Sequence, residues 1–180
     1  MMRFCLCSFT MELLIYRAEE IILIIREAKE DDLAQLVELY KQLHDNKMPE
    51  ITPKLQELWI EIQTDKNHHV VVCEVDAQII SSCVLIVVPN LTHNQRPYAL
   101  IENVITHRQY RGRGYATSVL NFSKEIAAKC NCYKIMLLTG ATEERTLKFY
   151  EKAGYNKNDK TAFIQWMTSK TGSVKQELKV

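Results

Sequence analysis

The apolar residues change their spacing along the chain in a way that predicts strands and helices in turn. Residues 21–26 are a β-branched run typical of a buried strand, and residues 33–43 then place apolar side chains at helical spacing. Two acidic residues precede this helix, where they interact favourably with the positive end of its dipole. Pro53 stands where the first turn of a helix tolerates proline, and residues 55–62 carry the apolar stripe of a second helix.

The rest of the chain alternates in the same way. We expect strands at residues 69–75, 78–88, 98–106, 133–138 and 161–167, and helices at residues 114–129 and 143–152. Asp76 and Ala77 separate two of the strands as a hairpin turn, and Gly154 ends the last helix. The order βααβββαβαβ predicts an α/β (α+β) fold with a single mixed, mostly antiparallel central sheet of about six to seven strands, flanked by helices.

The length of 180 residues predicts one domain, which we place at residues 21–167. Residues 1–20 are expected to be an N-terminal extension, with Met11 as an alternative start, and residues 168–180 a polar tail that frays. The first twenty residues lack the cleavage site of a secretory signal, and no apolar run is long enough to cross a bilayer. We therefore expect a cytoplasmic protein without a membrane partner.

Charge and cysteine content exclude several classes of function. The chain has 23 Lys and Arg against 22 Asp and Glu, for a net charge of +1, whereas a nucleic-acid-binding domain is usually strongly basic. Its six cysteines form no CxxC pair and no zinc-finger spacing, so we interpret them as reduced thiols and expect no metal.

The segment with the clearest chemistry follows the predicted strand at residues 98–106. A turn holds Gly112 and Gly114, with Arg111 before them and Arg113 between them, and a long helix follows directly. Glycines let a backbone approach a phosphate closely, and the free N–H groups of a helix start bind anions. The rival phosphate patterns GxxxxGK[ST] and GxGxxG are both absent. The segment is therefore predicted to bind an anion such as a phosphate.

This segment resembles a signature of the GNAT superfamily of acyl-coenzyme A N-acyltransferases. Arg111-x-x-Gly114-x-Ala116 matches the R/Q-x-x-G-x-G/A pattern of that family, and the residues from Phe149 to Tyr155 look like its F-Y-x-x-x-G-F/Y ending. The resemblance covers residues 21–167. It implies the fold expected above and the use of acetyl-coenzyme A (acetyl-CoA) as co-substrate.

Within the superfamily, the motifs are most similar to those of glucosamine-6-phosphate N-acetyltransferases. The I-E-D motif reads Ile101-Glu102-Asn103 here, and the C-Y-K-I strand is present at residues 132–135. Two positions depart from that subfamily, because Asn103 and Leu138 stand where it has acidic residues.

The resemblance also implies roles for individual residues. Tyr150 would donate to the departing thiolate, and Glu102 would act as the base for the amine, although a structural salt bridge is an equal interpretation of Glu102. The implied cofactor-binding residues are Val104, Ile105, Thr106, Arg111, Gly112, Arg113, Gly114, Tyr115, Ala116 and Thr117.

The expected activity is transfer of an acetyl group from acetyl-CoA to a primary amine of a small molecule, by direct attack in a ternary complex. A catalytically inactive CoA-binding regulatory module and a glucosamine-6-phosphate N-acetyltransferase are the alternatives. A nucleic-acid-binding function would rest only on Arg108, Arg111 and Arg113 and is not expected. A homodimer is a possibility, and the sequence leaves the identity of the amine open.

Overall fold

The computed structural model describes residues 16–18, 21–43 and 50–167. In these ranges the strands are β1 (Tyr16–Ala18), β2 (Ile21–Glu27), β3 (His68–Val75), β4 (Gln78–Val88), β5 (Tyr98–Thr106) and β6 (Ile135–Leu137). The helices are α1 (Leu33–Tyr40), α2 (Pro53–Thr64), α3 (Tyr115–Lys129) and α4 (Glu144–Lys152). None of the helices described is long and apolar enough to cross a membrane.

The strands form one sheet in the order β1-β2-β3-β4-β5-β6. Every neighbouring pair is antiparallel except β5 and β6, which run parallel. The predicted mixed, mostly antiparallel sheet is confirmed. Strands β2 to β6 form the main part of the sheet, and the three-residue β1 pairs with β2 at one edge. Strand β1 belongs to residues 1–20, which the sequence predicted to be an N-terminal extension.

Each face of the sheet carries its own apolar core. Leu36 of α1 and Trp59 of α2 pack on one face, together with Val72 and Ile105. Val119 and Leu120 of α3 belong to the core of the other face, against which Phe149 and Tyr150 of α4 also pack. We call the face of the sheet that α1 and α2 cover the α1/α2 face, and the face that α3 and α4 cover the α3/α4 face.

The expected strand at residues 161–167 is wrong. These residues form no strand in the described part of the chain, and their apolar side chains are exposed, with Phe163 93% and Met167 89% accessible. The alternation of apolar and β-branched residues supplies only a preference for extended backbone. A strand also needs a partner in register, and the polar stretch 156–160 that follows α4 does not bring the segment back against β6.

An irregularity in β5 prepares the sheet for a site. Val84 of β4 pairs with Glu102, whereas Ser82 pairs with Ile105, so β5 has one extra residue at this point. Asn103 lies in this bulge with φ of +51°, a backbone conformation that Asn adopts more readily than most residues. Bulges bend a strand and re-aim its side chains. Pairing between β5 and β6 ends at Ile101 and Leu137, so the two strands separate just before the bulge.

Candidate functional site

A cavity of about 960 Å³ opens on the α3/α4 face, where β5 and β6 separate. The end of β5, the loop before α3, the first turn of α3 and one side of α4 enclose it. Its lining residues are Val104, Ile105, Thr106, Tyr110, Arg111, Gly112, Gly114, Tyr115, Ala116, Thr117, Glu144, Arg145, Thr146, Lys148, Phe149, Tyr150 and Lys152.

The loop before α3 is shaped to receive an anion. Gly112 and Gly114 have φ of +77° and +89°, and a Cβ atom at either position would meet no other atom within 4 Å. The backbone amides from Gly112 to Thr117 make no hydrogen bond to any acceptor in the described residues, and the first α3 bond is donated by the Ser118 amide to the Gly114 carbonyl, 3.0 Å away. Several N–H groups are therefore free to bind an anion in front of the helix.

Side chains hold this loop against the end of β5. The Arg111 Nε donates to the Thr106 carbonyl at 3.0 Å, and the Ser81 hydroxyl donates to the Ile105 carbonyl at 2.8 Å. In the described chain no strand lies beside the outer edge of β5 beyond Ile101. An extended ligand could therefore add to this edge in the manner of another strand.

Helix α4 contributes most of the charge around the cavity. Arg145, Lys148 and Lys152 line it together with Arg111, against the single carboxylate of Glu144 among the lining residues. Glu144 is itself paired with Lys148, whose Nζ lies 2.7 Å from the Glu144 Oε1. The excess of cations favours a ligand with several negative charges.

The Tyr150 side chain is half-buried in the cavity wall, with its ring packed against those of Phe149 and Tyr155. Its hydroxyl makes no hydrogen bond within the described residues. Burial, and to a smaller extent the nearby Cys83, raises the pKa of the phenol above its usual value of 10. Tyr150 is thus a neutral hydrogen-bond donor at physiological pH.

Glu102 lies on the opposite face of the sheet. It pairs with Val84 of the α1/α2 core, and paired residues of neighbouring strands share a face. It is exposed and is not among the residues that line the cavity. Leu138 comes directly after the last paired residue of β6, and Glu102 comes directly after Ile101, the last residue of β5 that pairs with β6. The two residues therefore lie on either side of the gap where these strands separate. Leu138 is 47% exposed.

The cavity brings together most of the residues that the sequence predicted for a site. Tyr150 and nine of the ten cofactor-binding residues line it. Arg113 is not a lining residue, and its guanidinium lies over the Tyr110 ring, 5.7 Å from the centroid. Glu102 does not line the cavity either.

Sequence reasoning missed the contribution of α4. The sequence assigned no role in the site to Glu144, Arg145, Lys148 or Lys152. Arg145 lies three positions before Lys148 and Lys152 four positions after it, so the three cations share a helix face. The sequence does not show that this face borders a cavity.

Comparisons with known proteins identify the family to which this chain is similar. The sequence model of the Acetyltransferase (GNAT) family matches residues 33–155. A glucosamine 6-phosphate N-acetyltransferase from Trypanosoma brucei brucei is 31% identical over 83 residues, which are 46% of this chain and 54% of that protein. The chain therefore aligns with about half the length of this curated relative.

Two solved structures are also similar. One, from Agrobacterium tumefaciens str. C58 and assigned as an acetyltransferase, has a TM-score of 0.73 and 36% identity, covering 79% of this chain and 99% of that one. The other, an acetyltransferase from Trypanosoma brucei, has a TM-score of 0.69 and 25% identity, covering 80% of this chain and 99% of that one.

Proposed function

Because this chain belongs to the GNAT family of acetyltransferases, we propose that it moves an acetyl group from acetyl-CoA to the primary amine of a small molecule. The observation that carries this proposal is the open set of backbone amides at the start of α3, within a cavity rimmed by cations. Coenzyme A carries its negative charge as phosphates, and this arrangement suits a pyrophosphate.

The remaining parts of the cavity suit the rest of the cofactor. The pyrophosphate would lie on the amides from Gly112 to Thr117, with Arg111 and Arg145 among the cations that line the same cavity. The pantetheine arm would extend along Val104 and Thr106, adding to the free edge of β5. The thioester would then reach the gap between β5 and β6. In this arrangement the bulge at Asn103 gives the reacting group access to both faces of the sheet.

Chemistry follows by direct attack in a ternary complex. The amine nitrogen attacks the thioester carbon, and Glu102, directly or through water, accepts the proton that the amine loses. A backbone N–H near Ile105 would stabilise the oxyanion of the tetrahedral intermediate. The carbon–sulfur bond then breaks, its electron pair goes to sulfur, and Tyr150 donates a hydrogen bond or its proton to the thiolate. The products are the N-acetylated amine and free coenzyme A.

The acceptor would approach from the α1/α2 face, where Glu102 lies. Glucosamine 6-phosphate is the second candidate within this function, supported by the likeness to the curated relative that bears this name. Against it, the exposed side chain that borders Glu102 is the apolar Leu138 rather than an acid. A specificity constant for the sugar phosphate above about 10⁴ M⁻¹s⁻¹, a usual value for a physiological substrate, would identify it as the acceptor.

The test is an amine panel assayed with acetyl-CoA by the release of free thiol. The panel contains glucosamine 6-phosphate, polyamines, aminoglycosides, amino acids and peptide amines. We expect thiol release that depends on one of these amines, with the acetylated product visible by mass spectrometry. Acetyl-CoA binding without turnover on any amine would instead favour an inactive CoA-binding regulatory module.

We also propose that the protein is cytoplasmic and forms a homodimer. Cys73, Cys83 and Cys132 form no disulfide in the described ranges, which supports a reducing compartment. The exposed apolar side chains of residues 161–167 and the outer edge of β6, which has no partner in the described chain, support self-association through these two features. The mass in solution tests this, and Phe163→Asp should reduce it to that of the monomer.

A further inference from the structure

The side chain of Tyr155 has a buried hydroxyl that the reaction described above does not use. This oxygen has no hydrogen-bond partner among the described residues, although the ring itself is only half-buried. A buried polar group without a hydrogen-bond partner destabilises a fold. A role in function is one explanation for such a group in a native structure.

Other contacts hold the Tyr155 ring in place. Gly154 has φ of +90° and turns the chain at the end of α4, after which the Tyr155 amide donates to the Tyr150 carbonyl at 3.0 Å. The Lys124 ammonium lies over the ring, 5.6 Å from its centroid. None of these contacts involves the hydroxyl. A phenylalanine would therefore keep the backbone turn and the ring packing.

The Tyr155 ring contacts the side chains of Lys124 and Tyr150. The rings of Tyr150 and Tyr155 are nearly perpendicular, at 88°, with centroids 6.2 Å apart. The Cys83 sulfur is already engaged with the Ser123 hydroxyl at 3.2 Å. Burial, followed by Cys83 and Tyr150, raises the pKa of the Tyr155 phenol, so it too is a neutral donor. Lys124 offers only a donor, so Tyr150 is the contacting side chain whose oxygen the unused hydroxyl can serve.

We propose that Tyr155 is a positioning residue for Tyr150, and that its hydroxyl donates to the Tyr150 oxygen as that oxygen gains negative charge during acetyl transfer. The inference rests on the proposed function. When the carbon–sulfur bond breaks, the electron pair moves to sulfur and Tyr150 gives its hydrogen bond or proton to the thiolate. The charge that builds on the Tyr150 oxygen is then stabilised by the Tyr155 O–H, in a site where burial makes such a bond strong.

A double-mutant cycle tests this assignment with Tyr155→Phe, Tyr150→Phe and the combined variant. We expect Tyr155→Phe to lower kcat about tenfold, the effect of one hydrogen bond to a charged group, and to leave the KM for acetyl-CoA unchanged. Its melting temperature should equal or exceed that of the original protein, because an unpaired buried hydroxyl has been removed. The combined variant should be no slower than Tyr150→Phe, since Tyr155 acts only through Tyr150.

Tyr133→Phe is the matched control, because Tyr133 precedes β6 at the end of the sheet away from the cavity and stacks on His93. It should leave kcat unchanged. A kcat within twofold of the original for Tyr155→Phe would overturn the inference, as would a combined variant slowed by the product of the two single effects. If the protein without substitutions acetylates no amine in the panel, that result would overturn both the proposed function and this inference. Full activity of Tyr155→Phe in an otherwise active enzyme would overturn the inference alone.

Discussion

Tyr150 and Glu102 lie on opposite faces of the sheet, and this separation suits the two halves of an acetyl transfer. Tyr150 lines the cavity on the α3/α4 face, next to the position proposed for sulfur. Glu102 shares the α1/α2 face with Val84, on the side proposed for the amine. In the proposed reaction one acts on the leaving group and the other on the nucleophile, so their substitutions should affect different observables.

We expect Tyr150→Phe to lower kcat by about 10²-fold or more, the contribution usual for a general acid. Acetyl-CoA binding should hardly change, because the ring packing against Phe149 and Tyr155 remains. Steady-state kinetics with a good acceptor and a separate binding titration measure the two effects. Turnover within twofold of the original would make Tyr150 a packing residue.

Glu102→Gln tests the base. The rate of the original enzyme should rise with pH and level off once the acceptor amine is largely neutral. In the variant this rise should move to higher pH, because solvent must then remove the proton. Glu102 is exposed, so the substitution should have little effect on the melting temperature. Identical pH profiles for the two proteins would assign Glu102 a structural role only.

Asn103 illustrates how an interpretation based on charge can miss a role in the backbone. In the sequence it stands out as an acid lost from the I-E-D motif. In the structure it occupies the bulge of β5 with φ of +51°, and Asn and Asp both tolerate this conformation. The backbone requirement of the position is therefore met by the residue present.

Among the secondary-structure elements, the start of α3 carries the cofactor proposal most directly. Saturating acetyl-CoA should stabilise the protein by mass action, by about 2.7 kcal/mol at a hundredfold excess over the dissociation constant. Gly114→Glu should abolish the shift in melting temperature, since it places bulk and negative charge beside the free amides. Gly140→Glu is the control, because Gly140 also has open space around it but lies outside the cavity. An unshifted melting curve for the original protein would contradict cofactor binding at this site.

For the protein as a whole, buried thiols predict a loss of stability in alkali. Burial raises the pKa values of Cys73 and Cys83 from 9.0 to about 12 each. Between these values the unfolded chain releases protons that the folded chain retains, so the free energy of unfolding falls as pH rises. The slope should reach about 1.4 kcal/mol per pH unit for each thiol.

Urea titrations from pH 8 to pH 10.5 measure this slope. Cys73→Ala should reduce the slope by up to about 1.4 kcal/mol per pH unit, whatever its effect on the stability at neutral pH, because the Cys73 thiol no longer titrates. A free energy of unfolding that is constant over this range would contradict the assignment of both thiols as buried and protonated.

The local features of the fold and the loop before α3 were predictable from the sequence. Periodic apolar positions placed the helices to within a few residues, since a helix face or a strand face is encoded by neighbours along the chain. Gly112 and Gly114 likewise indicated a phosphate-binding turn. The backbone conformation that these glycines allow, and the start of the helix that follows them, are both local properties of the sequence. The resemblance carried by these residues then led to the family.

Long-range contacts determined the rest. The expected strand at residues 161–167 was wrong because a strand also depends on a partner in register. The cations of α4 became part of a cavity only when that helix packed on the α3/α4 face of the sheet. The face occupied by Glu102 followed from its pairing with Val84 of the neighbouring strand. The buried hydroxyl of Tyr155 could not be foreseen either, since burial depends on residues brought together by folding. Periodicity along the chain records what each residue prefers locally, whereas pairing, cavity shape and burial arise from contacts between distant segments.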